Sequence, residues 1–349
     1  MRKIITVIGA RPQFIKAAVM SKVLNRRYDE IIIHTGQHFD SNMSDVFFRE
    51  LGIPAPKYNL GISGGSHGAM TGAMLAGIEK ILQEEKPDAV LLYGDTNSTL
   101  AGVLAAVKLH IPVFHVEAGN RLGTLDNPEE VNRIAADRFA ALRFCASESA
   151  MEFLSQENLS RDSYLVGSVM YDAFIHFGTQ CPSKPVLTSY ETGLPVQIAP
   201  TYCYMTCHRA ENTGSDKPIT EILKAVNSLG YQVIYPVHPR IREQVRRILR
   251  NNDFSNIAAV EPVGYLESLA LTRGASRIVT DSGGCSAKRF MQAFHASPCS
   301  TTSSGRRLWS ATAIRCPTPT PRKSWRSFPC SRSSIRPIFR LVTAMPARR

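Results

Sequence analysis

Short runs of β-branched residues alternate along this chain with longer stretches whose apolar positions return every three or four residues. Ile4-Ile5-Thr6-Val7-Ile8 predicts a buried parallel strand. The turn Gly9-Ala10-Arg11-Pro12 then leads into a helix over Gln13–Leu24. A second strand, Glu30–Thr35, ends in Gly36-Gln37-His38. Residues 66–84 read as a helix with Met70, Met74, Ile78 and Ile81 on one stripe. Ala89–Tyr93 is a strand, and Gly94-Asp95-Thr96-Asn97-Ser98-Thr99 opens the next helix. Ile111–Val116 is another strand, followed by Glu117-Ala118-Gly119.

The second half keeps the same rhythm. Strands over 202–206, 233–237 and 276–280 are followed by His208-Arg209-Ala210-Glu211-Asn212, by His238-Pro239-Arg240 and by Asp281-Ser282-Gly283-Gly284. This βαβα order predicts an α/β fold with doubly wound parallel sheets. A change of pace near 170–195, rich in Pro, Ser and Thr, divides the chain into domains at 1–172 and 173–284. Two such domains facing each other would form a cleft. Ligands of open α/β sheets sit at the carboxyl ends of the strands, where almost every polar cluster named above falls.

Charge sharpens the division. The 349 residues carry a net charge of +12, which invites a nucleic-acid reading. Its distribution rejects that reading: residues 285–349 hold 13 Lys and Arg with no Asp or Glu, and the preceding 284 residues sum to −1. The chain is a near-neutral body with a basic end of different composition. No apolar run reaches the ~18 residues of a membrane span. The start, Met1-Arg2-Lys3 before Ile4–Ile8, is too short for a signal-peptide core. A cytoplasmic protein without membrane or nucleic-acid partners is the expectation.

Arg11 and Lys16 flank the first strand-to-helix turn, where backbone N–H groups and two cations make an anion site. Taken alone, a surface Arg and Lys explain the pair as well. Ser282-Gly283-Gly284 lets backbone approach a phosphate closely, although the same tripeptide is an ordinary turn. Asp95, Glu117, Glu129 and Glu130 lie at or just after strand ends; paired carboxylates with separated pKa values serve as acid and base. The plainer alternative makes Asp95 a helix cap and Glu129 and Glu130 solvated surface. His208 and His238 each end a strand. Cys203 and Cys207 have no matching pair, so the spacing gives no zinc signature and no metal is expected.

Together these segments resemble one family. Gly9-Ala10-Arg11-Pro12-Gln13-Phe14-Ile15-Lys16, His34-Thr35-Gly36-Gln37-His38-Phe39-Asp40, Gly94–Thr99, His115–Gly119, Pro128-Glu129-Glu130-Val131-Asn132-Arg133, His208–Asn212 and Thr280–Gly284 look like the non-hydrolysing UDP-N-acetylglucosamine 2-epimerases, in order, from residue 3 to about 284. The resemblance implies a GT-B fold, two Rossmann-like domains around a UDP-sugar cleft, and a homodimer without metal or nicotinamide cofactor that makes surface-polysaccharide precursors. It implies that the proton at sugar C2 is removed, UDP leaves C1 to give a glycal, and UDP adds back with C2 inverted. Matching positions make Asp95, Glu117 and Glu129 the acid/base candidates, with His208 contacting the diphosphate or assisting. Arg11, Ser282, Gly283 and Gly284 would bind phosphate, while Lys16 and Arg133 would support charge. Gln37, His38, His238 and Tyr265 complete the substrate-binding set. Asn120-Arg121 after Gly119 is a variant form of its motif, which leaves the sugar open.

The end departs from the pattern. The family places a ribose-binding Glu where this chain has Lys288, and then a segment Tyr-Ala-Gly-Val-Pro-Cys-Val-Thr-Leu where it has Phe290–Cys299. TTT ATG CAG GCG TTC CAT GCG TCA CCC TGT is one set of codons that specifies the residues at 290–299. Read from the third base they give that family segment. A reading frame that slips near Gly284-Cys285 therefore accounts for the tail, and an inactive remnant becomes one alternative. The others are a GT-B glycosyltransferase, a hydrolysing epimerase that releases UDP, and a protein that binds RNA or membrane through its basic tail.

Overall fold

The β-branched run at the start forms β1 (Arg2–Ile8), whose alternate side chains are buried on both faces. The structure, a computed structural model, describes residues 1–37, 48–208, 210–281, 297–298 and 338. The chain divides into two units, one built on Met1–His176 and the other beginning at Phe177.

In the first unit β1 is joined by β2 (Tyr28–His34), β3 (Tyr58–Asn59), β4 (Ala89–Tyr93), β5 (Val113–Ala118), β6 (Leu142–Cys145) and β7 (Ser163–Leu165). The order is β3-β2-β1-β4-β5-β6-β7, all parallel. The order reverses between β1 and β4, so the carboxyl ends of those two strands flank the crevice where such sheets bind ligands. Between the strands run α1 (Arg11–Leu24), α2 (His67–Glu85), α3 (Asn97–Lys108), α4 (Pro128–Phe139), α5 (Glu148–Gln156) and α6 (Val169–Gly178).

The expected stripe on α2 is the face it buries. Met74, Ile78 and Ile81, joined by Leu82, pack on Ile5, Val7, Val90 and Leu92, while Met70 is half-buried beside them. Ser66 starts this helix by accepting the Ala69 N–H at 3.3 Å. Lys86, at φ 47, ends it just before Pro87.

Both ends of β5 differ from the sequence expectation. β5 begins at Val113, because Pro112 has no N–H and contributes only its carbonyl, which accepts from Val90 N at 2.9 Å. It continues through Ala118, past the expected end at Val116. The β5–β6 register shifts between Val116 and Ala118, and Glu117 is the extra residue, at φ 69. The motif is thus part of the strand, carried on a bulge that re-aims its acid.

In the second unit β10 (Tyr202–Thr206), β11 (Gln232–Pro236), β12 (Ile257–Val260), β13 (Arg277–Thr280) and β14 (Ser297–Pro298) form a parallel sheet in the order β12-β11-β10-β13-β14. β8 (Leu187–Thr188) and β9 (Pro195–Val196) make a separate antiparallel pair. α7 (Ala210–Thr213), α8 (Asp216–Asn227), α9 (Arg242–Arg250) and α10 (Tyr265–Gly274) complete the unit. Ile219, Ile222, Leu223 and Val226 of α8 cover Cys203, Met205 and Val233 on one face. Leu271 and Ala275 lie with Tyr204 and Ile234 on the other. The fold class read from the sequence, α/β of the GT-B type with two doubly wound Rossmann-like units, is the one the chain has. The basic end at 285–349 lies outside the described residues apart from Ser297, Pro298 and the buried Ile338. No helix among the described residues is long and apolar enough to cross a membrane.

A polar cluster sits within the first unit's core. Thr6 Oγ1 donates to Glu30 Oε1 at 2.6 Å. Glu30 Oε2, Ser21 Oγ and Tyr93 Oη are buried without a hydrogen-bond partner among the described residues. Burial pushes the Glu30 carboxyl above its usual 4.5, against the pull of the Thr6 hydroxyl. A carboxyl raised in the folded state weakens the fold as pH climbs from the unfolded pKa toward the folded one. Glu30→Gln is expected to raise Tm at neutral pH by about 2–4 °C. The gain shrinks as pH falls to the ordinary carboxylate range, which thermal melts across a pH series will show.

Candidate active site

The turn after β1 is built without slack. A Cβ on Gly9 would collide with Thr35 Oγ1 and Ser98 Oγ, so only glycine fits there. Gln13, buried on the first turn of α1, accepts the N–H groups of Gly9 at 2.8 Å and Ala10 at 3.1 Å. Its amide donates to Tyr93 O at 2.8 Å, Thr96 Oγ1 at 3.0 Å and Thr99 Oγ1 at 3.1 Å. One side chain therefore ties the end of β1 to the end of β4. Arg11, the first residue of α1, is half-buried at the same edge.

Asp95 follows β4 at this crevice. It does not cap α3: that position belongs to Thr96, whose side chain accepts from Thr99 N at 3.3 Å. The Asp95 carboxylate pairs with Arg133 of α4 instead. Arg133 also donates to Glu130 Oε2 at 2.6 Å. Burial would depress this guanidinium, but its two carboxylate partners outweigh that and raise it. Glu117 projects from its bulge onto Lys16 of α1, and the two form an ion pair in which the lysine is almost fully buried. The turn at Gly94, φ 65, joins the two pairs. A Cβ there would lie 3.7 Å from Lys16 Nζ and 3.8 Å from Glu117 Oε2.

The two acids of the α4 first turn differ in environment. Asn127 caps the helix, accepting from Glu129 N at 2.9 Å, and the Glu129 residue is exposed. Glu130, expected as solvated surface, is buried. It accepts Leu122 N at 2.8 Å and Gly123 N at 3.1 Å. Burial works against its charge, yet those amides and Arg133 win and hold its pKa below 4.5. Gln37 spends its side-chain oxygen on Ser98, accepting from N at 3.1 Å and Oγ at 2.8 Å.

The second unit has its own reversal, between β10 and β13, and polar residues again gather there. His208, just past β10, is half-exposed and faces Asp281, just past β13, at 3.3 Å from Nδ1. Asp281 Oδ2 accepts from His208 N at 2.8 Å and from Asn212 Nδ2 at 3.1 Å. The carboxylate thereby holds the backbone of His208 and lies beside its ring. His238, two residues past β11, starts a short 3-10 turn and accepts Arg240 N on Nδ1 at 3.2 Å. Tyr265 is buried at the start of α10, its ring edge-on to Phe177 at 5.7 Å. His38, Ser282, Gly283, Gly284 and Lys288 lie outside the described residues.

Of the predicted residues, Lys16, Asp95, Glu117 and Arg133 come together in the first unit, with Glu129 exposed apart from their ion pairs. A family model described as UDP-N-acetylglucosamine 2-epimerase matches residues 22–290. The chain belongs to the UDP-N-acetylglucosamine 2-epimerase family. A Pseudomonas aeruginosa relative, UDP-2,3-diacetamido-2,3-dideoxy-D-glucuronate 2-epimerase, is 44% identical over 307 residues, 86% of this chain and 82% of its own. A UDP-N-acetylglucosamine 2-epimerase homolog of Methanococcus maripaludis is 45% identical over 285 residues, 81% of this chain and 79% of its own. Among solved structures, a Methanocaldococcus jannaschii UDP-GlcNAc 2-epimerase in complex with UDP-GlcNAc and UDP superposes with a TM-score of 0.72 at 34% identity, over 84% of this chain and 82% of that one.

Within this epimerase-family chain the sequence reading left Gln13 and Asp281 without roles and did not find Glu130 as the buried partner of Arg133. Gln13 and Asp281 lie inside the quoted motifs at the carboxyl ends of β1 and β13, which is the signal that could have marked them. Gln13→Leu would strand the buried amides of Gly9 and Ala10 and the carbonyl of Tyr93. A loss of about 2–4 kcal/mol is expected, read as a lower urea midpoint at unchanged slope.

Proposed function

We propose that this chain is a UDP-N-acetyl amino sugar 2-epimerase, converting UDP-GlcNAc to UDP-ManNAc or acting on a related UDP-N-acetyl amino sugar. The observation that carries this reading is the pair of carboxylate–cation contacts, Asp95 with Arg133 and Glu117 with Lys16, gathered about one turn where the first sheet reverses. The C2 proton of a sugar is weakly acidic, so its removal needs a placed base and concurrent loss of the leaving group. One carboxylate takes the C2 proton. The C–H electron pair becomes the C1=C2 double bond of a glycal, the C1–O bond breaks, and UDP leaves with its electrons. Re-addition of UDP at C1 with protonation of C2 on the opposite face gives the epimer. The sugar returns at its starting oxidation level, so the route calls for no nicotinamide and no metal.

Asp95, Glu117 and Glu129 are the proton-transfer groups in this proposal, the first two held as ion pairs by Arg133 and Lys16. His208, steadied by Asp281, contacts the diphosphate, and Arg11, Ser282, Gly283 and Gly284 bind phosphate. Gln37, His38, His238 and Tyr265 line the substrate. The enzyme works in the cytoplasm as a homodimer on precursors of surface polysaccharide. A GT-B glycosyltransferase would need an acceptor, whereas this reaction runs without one.

The basic end belongs to the same proposal. The matched family region stops at residue 290, where Lys288 and Phe290–Cys299 have already left the family pattern. We infer that the frame slips near Gly284-Cys285 and that the chain as written turns over slowly or not at all. Sequencing the gene is expected to show the family segment in the shifted frame; a single intact frame without it refutes the slip.

Incubation with UDP-GlcNAc in deuterated water tests the chemistry. The frame-restored chain is expected to place deuterium at C2 and form the C2 epimer with no acceptor present. Asp95→Asn and Glu117→Gln each slow this by about 10²–10⁴-fold. Exchange at C2 that survives both substitutions sinks the assignment.

A further inference from the structure

His115 precedes Glu117 on β5, and its ring is fully buried, as is the Asp137 side chain beside it. Nδ1 lies 2.7 Å from Asp137 Oδ1, and Nε2 lies 2.7 Å from the Gly94 carbonyl. A carbonyl oxygen only accepts, so Nε2 carries a hydrogen. Asp137 is a carboxylate: its Oδ2 accepts from Gly119 N at 3.0 Å and from Arg121 Nη1 at 2.7 Å. Burial opposes that charge, but His115, Arg121 and Gly119 outweigh it and keep the carboxyl below its usual 3.8. Nδ1 therefore carries a hydrogen as well. A ring whose two nitrogens both donate is an imidazolium, and a neutral tautomer would leave one of these buried acceptors facing a bare nitrogen.

The ring sits where its charge and geometry matter. Gly94 donates its N–H to Val116 O at 2.9 Å, and His115 holds its carbonyl. The next carbonyl, that of Asp95, accepts from Asn132 Nδ2 at 2.9 Å. The peptides on both sides of Asp95 are thus pinned, one of them by His115. Behind the ring, Arg121 grips Glu157 with two hydrogen bonds of 2.6 and 2.7 Å. Arg143 of β6 approaches Asp137 from the other side, donating to the carbonyls of Asp137 and Ala140 at 3.0 and 2.6 Å. Cys145, also of β6, faces the same carboxylate as a buried thiol pushed up to about 12 by burial.

We propose that His115, donating from both ring nitrogens to Asp137 and to the Gly94 carbonyl, is a positioning residue that fixes the backbone carrying Asp95 and Glu117. The positioning role rests on reading those two acids as proton-transfer groups; the charge state does not.

The test uses the full chain labelled with ¹³C and ¹⁵N, the His115 ring being assigned through bonds to its own backbone amide. Both ring nitrogens are expected to carry hydrogens at neutral pH, as their two acceptors require. Asp137→Asn is expected to return the ring to a single proton. A bare ring nitrogen in the parent at neutral pH overturns the proposal, and this measurement needs no folded variant. In the frame-restored chain, Asp137→Asn is expected to lower kcat about hundredfold while KM stays within about twofold. An unchanged kcat removes the positioning role. If the parent fails to epimerise, the proposed function falls while the ring nitrogens still decide the charge state.

Discussion

A carboxylate that must work at the edge of a protein core needs a counter-charge that does not wander. In this chain that need is met by Arg133 for Asp95 and by Lys16 for Glu117, each cation on a helix and each acid at a strand end. The cost of burying Lys16 and most of Arg133 is offset only because the partners come within ion-pair distance. Much of the surrounding structure serves to keep them there. Gln13 locks the ends of β1 and β4 together, the bulge at Glu117 turns its side chain, and Glu130 holds the far side of the Arg133 guanidinium.

Most of the frame was legible in the pattern of apolar residues. The strands over 4–8, 89–93 and 202–206 and the stripe on α2 follow from periods that burial imposes directly. The exceptions have local physical causes. β5 ran beyond its expected end because a bulge keeps pairing alive past an irregular residue, and nothing in the sequence shows Glu117 at φ 69. Thr96 displaced Asp95 as the cap of α3, since both residue types suit that position and only the backbone decides between them. Glu129 and Glu130 are adjacent and alike in sequence, yet one is exposed and the other buried. Helical rotation separates neighbours by about 100°, so their environments had to be seen.

The same logic recurs in the second unit with different residues. Asp281 gathers the His208 backbone, its ring and Asn212 at the second reversal of strand order. Two unrelated sets of side chains thus occupy equivalent topological positions, which is what a shared sheet architecture with separate chemistry looks like.

The Arg121–Asp137–His115 cluster has a bearing on the medium in which the protein works. Mobile ions weaken attractions between charges that face water, over a distance of about 8 Å at physiological strength. Asp137 and His115 expose no side-chain surface and Arg121 exposes very little, so dissolved salt cannot enter between them. The scaffold behind Asp95 is therefore much less sensitive to ionic strength than the exposed Arg247–Asp216 pair at the periphery.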